Sequence, residues 1–331
     1  MFVVFYHLIW VGVKDRDSVL IPFFNSCCMQ LFFFLSGFVS YQKISNIKTI
    51  KEINTNIIKK IRILLIPSIL LFSFCIWYYQ QDLLKELLYE YKSGYWFTFV
   101  LFFIFSIHYI VIYFYRRLFT NSKVKKQYGL VILIALAFTA YCFNSSLYNI
   151  SSYFRFISLS FILKYYIFFL LGYIYKQYED LIQNFINRPW IRTVLFLISL
   201  SIFSPLIQEN RALPIFPSVA QIILIIYMFK QNKSITNNNF FWEQMAFLGK
   251  HSLEIYFLHY FFLFGMPEIH RFISEQDNIY VFRGCGCKTI LEISILLPIS
   301  IILAYISILT RKILDFCAPY LSYLLFGTYS K

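Results

Sequence analysis

The sequence predicts an all-α, polytopic membrane protein of about ten transmembrane helices, with both termini on the cytoplasmic side. Three observations predict it. Apolar residues make up 59% of the 331 residues and charged residues only 14%, against about 25% in a soluble domain. So few charges cannot cover a water-facing surface. The apolar residues come in long runs, such as Val19 to Ser40, Ile63 to Tyr79, Tyr95 to Tyr115 and Ile290 to Leu309, each close to the roughly 20 residues that carry a helix across a bilayer. Finally, the basic residues behind the net charge of +14 sit in the gaps between those runs. That placement is a topology signal and argues against a nucleic-acid partner.

Runs and breaks place spans at roughly 1–13, 19–41, 61–79, 95–115, 128–143, 156–175, 191–206, 214–229, 246–265 and 289–310. Short connectors containing Lys, Asn, Pro or Ser separate them. The chain reads as a single transmembrane domain over 1–331, with no internal repeat and no soluble extension. Residues 311–331 mix aromatics with Arg311, Lys312 and Asp315, the pattern of an amphipathic segment lying along the inner membrane surface. The first span is short. Thirteen residues make about 20 Å of helix, less than the roughly 30 Å hydrocarbon core, so the natural start codon is expected upstream. No cleavable signal peptide is recognisable.

Orientation follows from the Lys and Arg count. The gaps after the second, fourth, sixth and eighth spans and the C-terminal stretch hold about two-thirds of these residues. They include Lys43, Lys48, Lys51, Lys59, Lys60 and Arg62 in one gap and Arg116, Arg117, Lys123, Lys125 and Lys126 in another. The excess alternates gap by gap, as ten spans with cytoplasmic termini require. Cys27, Cys28, Cys75, Cys142 and Cys317 lie in or beside apolar runs and read as packing residues. Cys285 and Cys287 form one CxC pair, which lacks the further ligands of a zinc site, so no metal is expected. Phosphate-loop, dinucleotide, HExxH and GxSxG motifs are missing, which argues against an ATP-driven pump and a serine hydrolase.

Ionisable groups within a bilayer are costly and tend to mark function. Five fall inside the expected spans: His7, His108, Lys164, Glu254 and His259. The bland alternative for each histidine is a hydrogen-bonded packing residue. Glu254 and His259 share a span but are five residues apart, so they do not stack on one face. Lys164 either snorkels to the outer surface or lines a cavity. The cluster Lys59, Lys60 and Arg62 opens the third span. It either anchors the helix or captures a phosphorylated cytosolic ligand.

Several phrases, taken in order, resemble the acyltransferase-3 family of bacterial membrane O-acyltransferases. Val3-Val4-Phe5-Tyr6-His7 resembles its first helix, and Met29-Gln30-Leu31-Phe32-Phe33-Phe34-Leu35-Ser36-Gly37-Phe38 its second. Lys59-Lys60-Ile61-Arg62-Ile63-Leu64-Leu65-Ile66-Pro67 resembles the basic start of its third, and Tyr95-Trp96-Phe97 the aromatic opening of a later one. Phe168-Phe169-Leu170-Leu171-Gly172-Tyr173 and Leu248-Gly249-Lys250-His251-Ser252-Leu253-Glu254-Ile255-Tyr256-Phe257-Leu258-His259 complete the set. Order and spacing hold from residue 3 to about 265.

The resemblance implies a ten-helix enzyme of the bacterial inner membrane. Such an enzyme takes an acyl group, usually acetyl, from cytosolic acyl-CoA and places it on a hydroxyl of a cell-surface or lipid-linked glycan. It assigns catalysis to His7, and CoA binding to Lys59 and Arg62 with Lys60 beside them. Lys164, Glu254, His259 and Trp96 are further candidates for a polar cavity. The family's arginine some eleven residues before the histidine would precede Met1. Imidazole suits a general base that activates a hydroxyl, and it also suits a transient acyl acceptor. The rival reading is a secondary transporter or flippase for a glycan or small metabolite, with the basic loops serving topology alone.

Overall fold

A computed structural model of the chain describes residues 2–15, 18, 20–119, 123–144, 152–210, 212–231, 240–263, 265–279 and 286–327. Helices α1 (Phe2–Val13), α2 (Leu20–Ser45), α3 (Ile50–Tyr78), α4 (Trp96–Phe119), α5 (Lys123–Phe143), α6 (Leu159–Gln177), α7 (Glu179–Ile186), α8 (Pro189–Phe203) and α9 (Ile215–Gln231) follow one another. They are followed by α10 (Phe240–Lys250), α11 (Ser252–Phe262), α12 (Pro267–Ile279), α13 (Gly286–Cys317) and α14 (Pro319–Phe326). Among the described residues there is no strand. A bilayer imposes this regularity, because a spanning helix satisfies its backbone polar groups within itself.

Among the described residues, length and composition qualify five helices as candidate membrane spans: α2, α3, α4, α6 and Lys288–Cys317 of α13. The pair α7–α8, bent by 90°, makes a sixth candidate. The expected spans at 1–13, 128–143 and 214–229 coincide with shorter apolar helices, Phe2–Val13, Gln127–Phe143 and Ile215–Gln231. The expected span at 246–265 is two helices that meet at His251. Ten spans is therefore more than these helices establish by themselves.

Local chemistry accounts for the irregularities. Thr49 caps α3 by accepting the Glu52 N–H at 3.3 Å, and Glu52 Oε2 accepts the Lys48 N–H at 2.8 Å, a reciprocal arrangement that satisfies orphan donors. Inside α3, residues Ile61–Leu65 widen to a π-helix just before Pro67. Proline has no N–H to give the carbonyl four residues back and its ring clashes with it, so a widened turn absorbs the defect.

Lipid is as apolar as a leucine side chain, so helices in a bilayer associate through close packing. Helices α2 and α6 make the most intimate pair. A Cβ on Gly37 would overlap the Phe169 carbonyl, and a Cβ on Gly172 would overlap the Phe34 carbonyl. The two glycines therefore let the backbones touch at a reciprocal crossing. Around it lies an aromatic core of Phe33, Phe34, Trp96, Phe97, Phe105, Phe168 and Phe169. A second core joins α1 to α13 through Val4, Phe5, Leu8, Ile9, Leu296 and Leu303.

The C-terminal segment corrects an expectation. Residues up to Cys317 continue α13, and α14 then turns back to pack on α13 and α3. Arg311, expected on a membrane-surface segment, is buried instead. It pairs with Asp315 at 3.1 Å, donates to the Ser322 carbonyl at 2.9 Å and stacks on Phe326. The carboxylate one turn away supports the burial of that guanidinium. Cys27, Cys28 and Cys75 are buried, as packing residues should be, but Cys317 is exposed. Cys285 lies outside the described residues, and so does the side chain of Cys287.

Candidate active site

Helix α1 runs against α11 and α13 and brings His7 to His259. The two imidazole rings are nearly parallel, with centroids 5.1 Å apart and 9° between planes, and meet edge to edge, His7 Nδ1 lying 2.9 Å from His259 Nε2. Proton placement follows from the partners. His259 Nδ1 is 3.0 Å from the Ile255 carbonyl and 2.8 Å from the Tyr256 carbonyl. Carbonyls only accept, so this nitrogen carries hydrogen. In the neutral ring the Nε2 of His259 is then an acceptor, and His7 Nδ1 must donate to it. The lone pair of His7 is left on Nε2, where the Tyr260 hydroxyl donates at 3.1 Å. His259 is fully buried, whereas His7 keeps partial exposure, so the basic nitrogen belongs to the ring with access.

A strained turn holds this arrangement. Lys92 and Ser93 have φ of 44° and 48°, and Gly94 has φ of 96°. A Cβ at Gly94 would collide with the Tyr260 phenol, so glycine is needed here both for backbone and for space. The Tyr256 hydroxyl donates to the Gly94 carbonyl at 2.6 Å and accepts the Phe97 N–H at 3.2 Å, and the Tyr95 hydroxyl donates to the Phe257 carbonyl at 3.1 Å. The turn before α4 is thereby clamped to the helix that carries His259 and Tyr260. Beneath it, Lys92 is buried and donates to the Leu87 carbonyl at 3.1 Å, while the Glu90 carboxylate accepts from Ser160 at 2.8 Å. Burial pushes the Lys92 ammonium down to about 8 and raises the Glu90 carboxyl above its ordinary range, because both charged forms lose water.

Two cavities lie along α2. The first, about 570 Å³, is lined by Val3, Val4, Met29, Phe32, Phe97, Leu101, Phe105, Ile255, Tyr256 and His259, with Lys43 and Lys60 also in its wall. Its α2 wall runs from Met29 to Lys43, about 21 Å of helix. This is an apolar slot with His259 in its wall and cations farther along α2. The second, about 850 Å³, has a mixed polar and apolar wall and borders the earlier part of α2, from Ile21 to Gln30, with Ser18 just before it.

Of the expected residues, the structure joins His7 to His259, and His259 and Lys60 both line the first cavity. Lys60 extends over the Phe105 ring, 3.5 Å from its centroid. Lys59 is exposed and does not line the cavity; Arg62 packs on Tyr323 of α14 at 4.4 Å. Trp96 is buried against Phe161 and Tyr165 as a packing residue. Glu254 hydrogen-bonds His251 at 2.5 Å, five residues before His259. Lys164 lines the second cavity. His108 is packed among Tyr166, Phe169 and Tyr173. Sequence reasoning missed Tyr260, Tyr256, Lys43 and Gly94. The one usable signal was Gly94 directly before the aromatic opening of α4.

The chain is a helical bundle of apolar helices, with a paired imidazole beside an apolar slot whose wall also carries Lys43 and Lys60. A family model for the acyltransferase domain (acyltransferase-3) matches residues 1–309. The chain belongs to that family and is a membrane acyltransferase. No curated protein sequence and no solved structure matches it.

Proposed function

We propose that this acyltransferase moves an acetyl group from acetyl-CoA, entering from the basic cytoplasmic end, to a hydroxyl of a cell-surface or lipid-linked glycan in the bacterial inner membrane. The single observation that carries the mechanism is the tautomer imposed on His7. Its Nδ1–H is held by His259, so its Nε2 lone pair faces a hydroxyl, that of Tyr260, at 3.1 Å. An acceptor hydroxyl that displaces Tyr260 from this hydrogen bond loses its proton to Nε2 as its oxygen attacks the thioester carbonyl. The tetrahedral intermediate collapses, the C–S bond breaks, and the CoA sulfur leaves with the proton from His7. Products are the ester and the free thiol. While His7 is protonated, its Nδ1–H bond to His259 strengthens as a charge-assisted bond, so His259 serves as a positioning residue.

The donor fits the first cavity by chemistry. Lys43 and Lys60 match the phosphates of CoA, and the apolar slot matches its extended pantetheine arm. The test is purified protein in lipid nanodiscs with acetyl-CoA and glycan acceptors. Thiol release coupled to ester formation is expected, and His7→Ala abolishes it. Undiminished transfer by His7→Ala sinks the mechanism. A stoichiometric burst of free thiol without acceptor reassigns His7 as an acyl-accepting nucleophile.

A further inference from the structure

The second cavity lies outside the histidine pair and outside the donor slot. Its wall includes Asn25, Gln30, Tyr141, Lys164, Phe203 and Gln208, with Glu209 and Asn210 at the rim. Lipid has no use for such a lining, and neither does core packing, which avoids polar groups without partners.

Gln30 makes the strongest argument. It is buried, and its Nε2 donates to the Asn25 carbonyl at 2.7 Å, which fixes the amide. Its Oε1 is buried without a hydrogen-bond partner. A buried amide oxygen in this state is costly; Gln30 lines the cavity, and an O–H or N–H of a molecule there is a donor that would satisfy it. Other wall groups are also fixed. Gln208 Nε2 donates to the Ile202 carbonyl at 3.0 Å, and Asn210 Oδ1 accepts the Ala212 and Leu213 N–H groups at 2.9 and 3.1 Å. Each amide keeps one polar end with no hydrogen bond among the described residues. Lys164 forms no ion pair among the described residues, and its ammonium sits 5.4 Å from the Tyr165 ring centroid. Among the described residues, the lining carries one cation and one carboxylate, Lys164 and Glu209. Fixed amides, one donor cation, one acceptor carboxylate and the Tyr141 and Phe203 rings suit a neutral, polyhydroxylated ring.

We infer that this cavity binds the acceptor: an uncharged glycosyl unit whose hydroxyl donates to Gln30 Oε1 and whose other hydroxyls meet Lys164 and Glu209. The inference rests on the acyl-transfer reading for its role, but not for its chemistry. Tyr6, next to His7, sits beside the side chain of Asn25, which lines the cavity.

The test is direct binding, separate from turnover. Methyl glycosides of neutral and acidic hexoses are titrated into nanodisc-embedded wild type, Gln30→Leu and Lys164→Met, followed by intrinsic fluorescence. Acetyl transfer by the wild type is measured in parallel. Binding of neutral over acidic glycosides is expected, weakened at least tenfold in both variants. If Gln30→Leu does not fold, Lys164→Met decides alone. Preference for the acidic glycosides overturns the inference, and so does unchanged binding in a folded variant. It also falls if a wild type that acetylates an acceptor binds no glycoside. Glycoside binding lost in the variants, with no thiol release by the wild type on any acceptor, upholds the cavity and refutes the acyl-transfer reading instead.

Discussion

Replacing His259 by leucine isolates the tautomer argument. The substitution removes the acceptor that lies 2.9 Å from His7 Nδ1. It also removes the donor that two backbone carbonyls, those of Ile255 and Tyr256, now share. His7 then holds a donor with no partner, and its proton is free to move to Nε2, where it blocks the base. Leaving a buried polar group unpaired costs about 1–3 kcal/mol, which converts to about a 5- to 150-fold loss of rate. The loss should fall on kcat, with the KM for acetyl-CoA nearly unchanged, because His259 is invoked only for the proton that moves. Glutamine provides the control. Its side-chain oxygen reaches the place of Nε2, so His259→Gln should recover most of the lost rate. The assay is initial-rate thiol release with saturating acceptor in nanodiscs, with folding checked by thermal unfolding. Wild-type kcat in folded His259→Leu refutes the reasoning. A glutamine variant as slow as the leucine variant assigns the effect to packing rather than to the hydrogen bond.

Other consequences follow from the same structure. Gly37→Ala or Gly172→Ala forces α2 and α6 apart at a backbone contact and should cost about 1–3 kcal/mol of stability, read as a lower unfolding temperature; unchanged stability removes the crossing as a determinant. Lys43→Ala with Lys60→Ala should raise the KM for acetyl-CoA about tenfold or more, through lost charge-assisted contacts. Lys59→Ala, which changes an exposed residue outside the slot, should leave it within about twofold; the reverse ranking refutes the assignment. Lys92 gives a pH signature. Its folded value of about 8 lies below the ordinary 10.5, so between those values the unfolded chain binds more protons and stability rises with pH, by at most about 3 kcal/mol. Thermal unfolding from pH 8 to pH 10 should show the rise, and Lys92→Met should flatten it.

The helical architecture was legible because apolar run length is set by bilayer thickness and appears directly in the sequence. Broken elements were not. The division of 246–265 at His251 and the bend between α7 and α8 depend on packing that a run of hydropathy does not encode. At the site, His7 and His259 stood out because an ionisable group in a bilayer is conspicuous. Their contact was not legible, since 252 residues separate them. Tyr260 was hidden by abundance: with 27 tyrosines in the chain, one beside a histidine carries no signal. The basic cluster was found, but which of its members faces inward depends on helix rotation. Tertiary packing turns Lys60 toward Phe105 and leaves Lys59 outside. Gln30 was visible as an uncharged polar residue inside an apolar run. Its significance lies in one oxygen left without a partner, which only coordinates reveal.

The geometry of α2 places two cavities along one helix. Its earlier residues, Ile21 to Gln30, with Ser18 just before them, border the second cavity; its later ones, Met29 to Lys43, border the apolar slot. Met29 and Gln30 are adjacent, so the two cavities meet the helix within a single turn of each other. The contact between Gly37 and Phe169 fixes the height of α2 against α6, and α6 in turn carries Lys164 into the second cavity. A shift of α2 along its axis would therefore move both cavity walls at once, relative to α1 and His7. This couples packing to chemistry without any contact between the glycines and a ligand. It explains why an overpacked crossing should cost activity before it costs the fold. In a Gly37→Ala protein held folded by low temperature, the KM values for donor and acceptor should rise together. A change confined to one substrate would mean that the two cavities are positioned independently of the crossing.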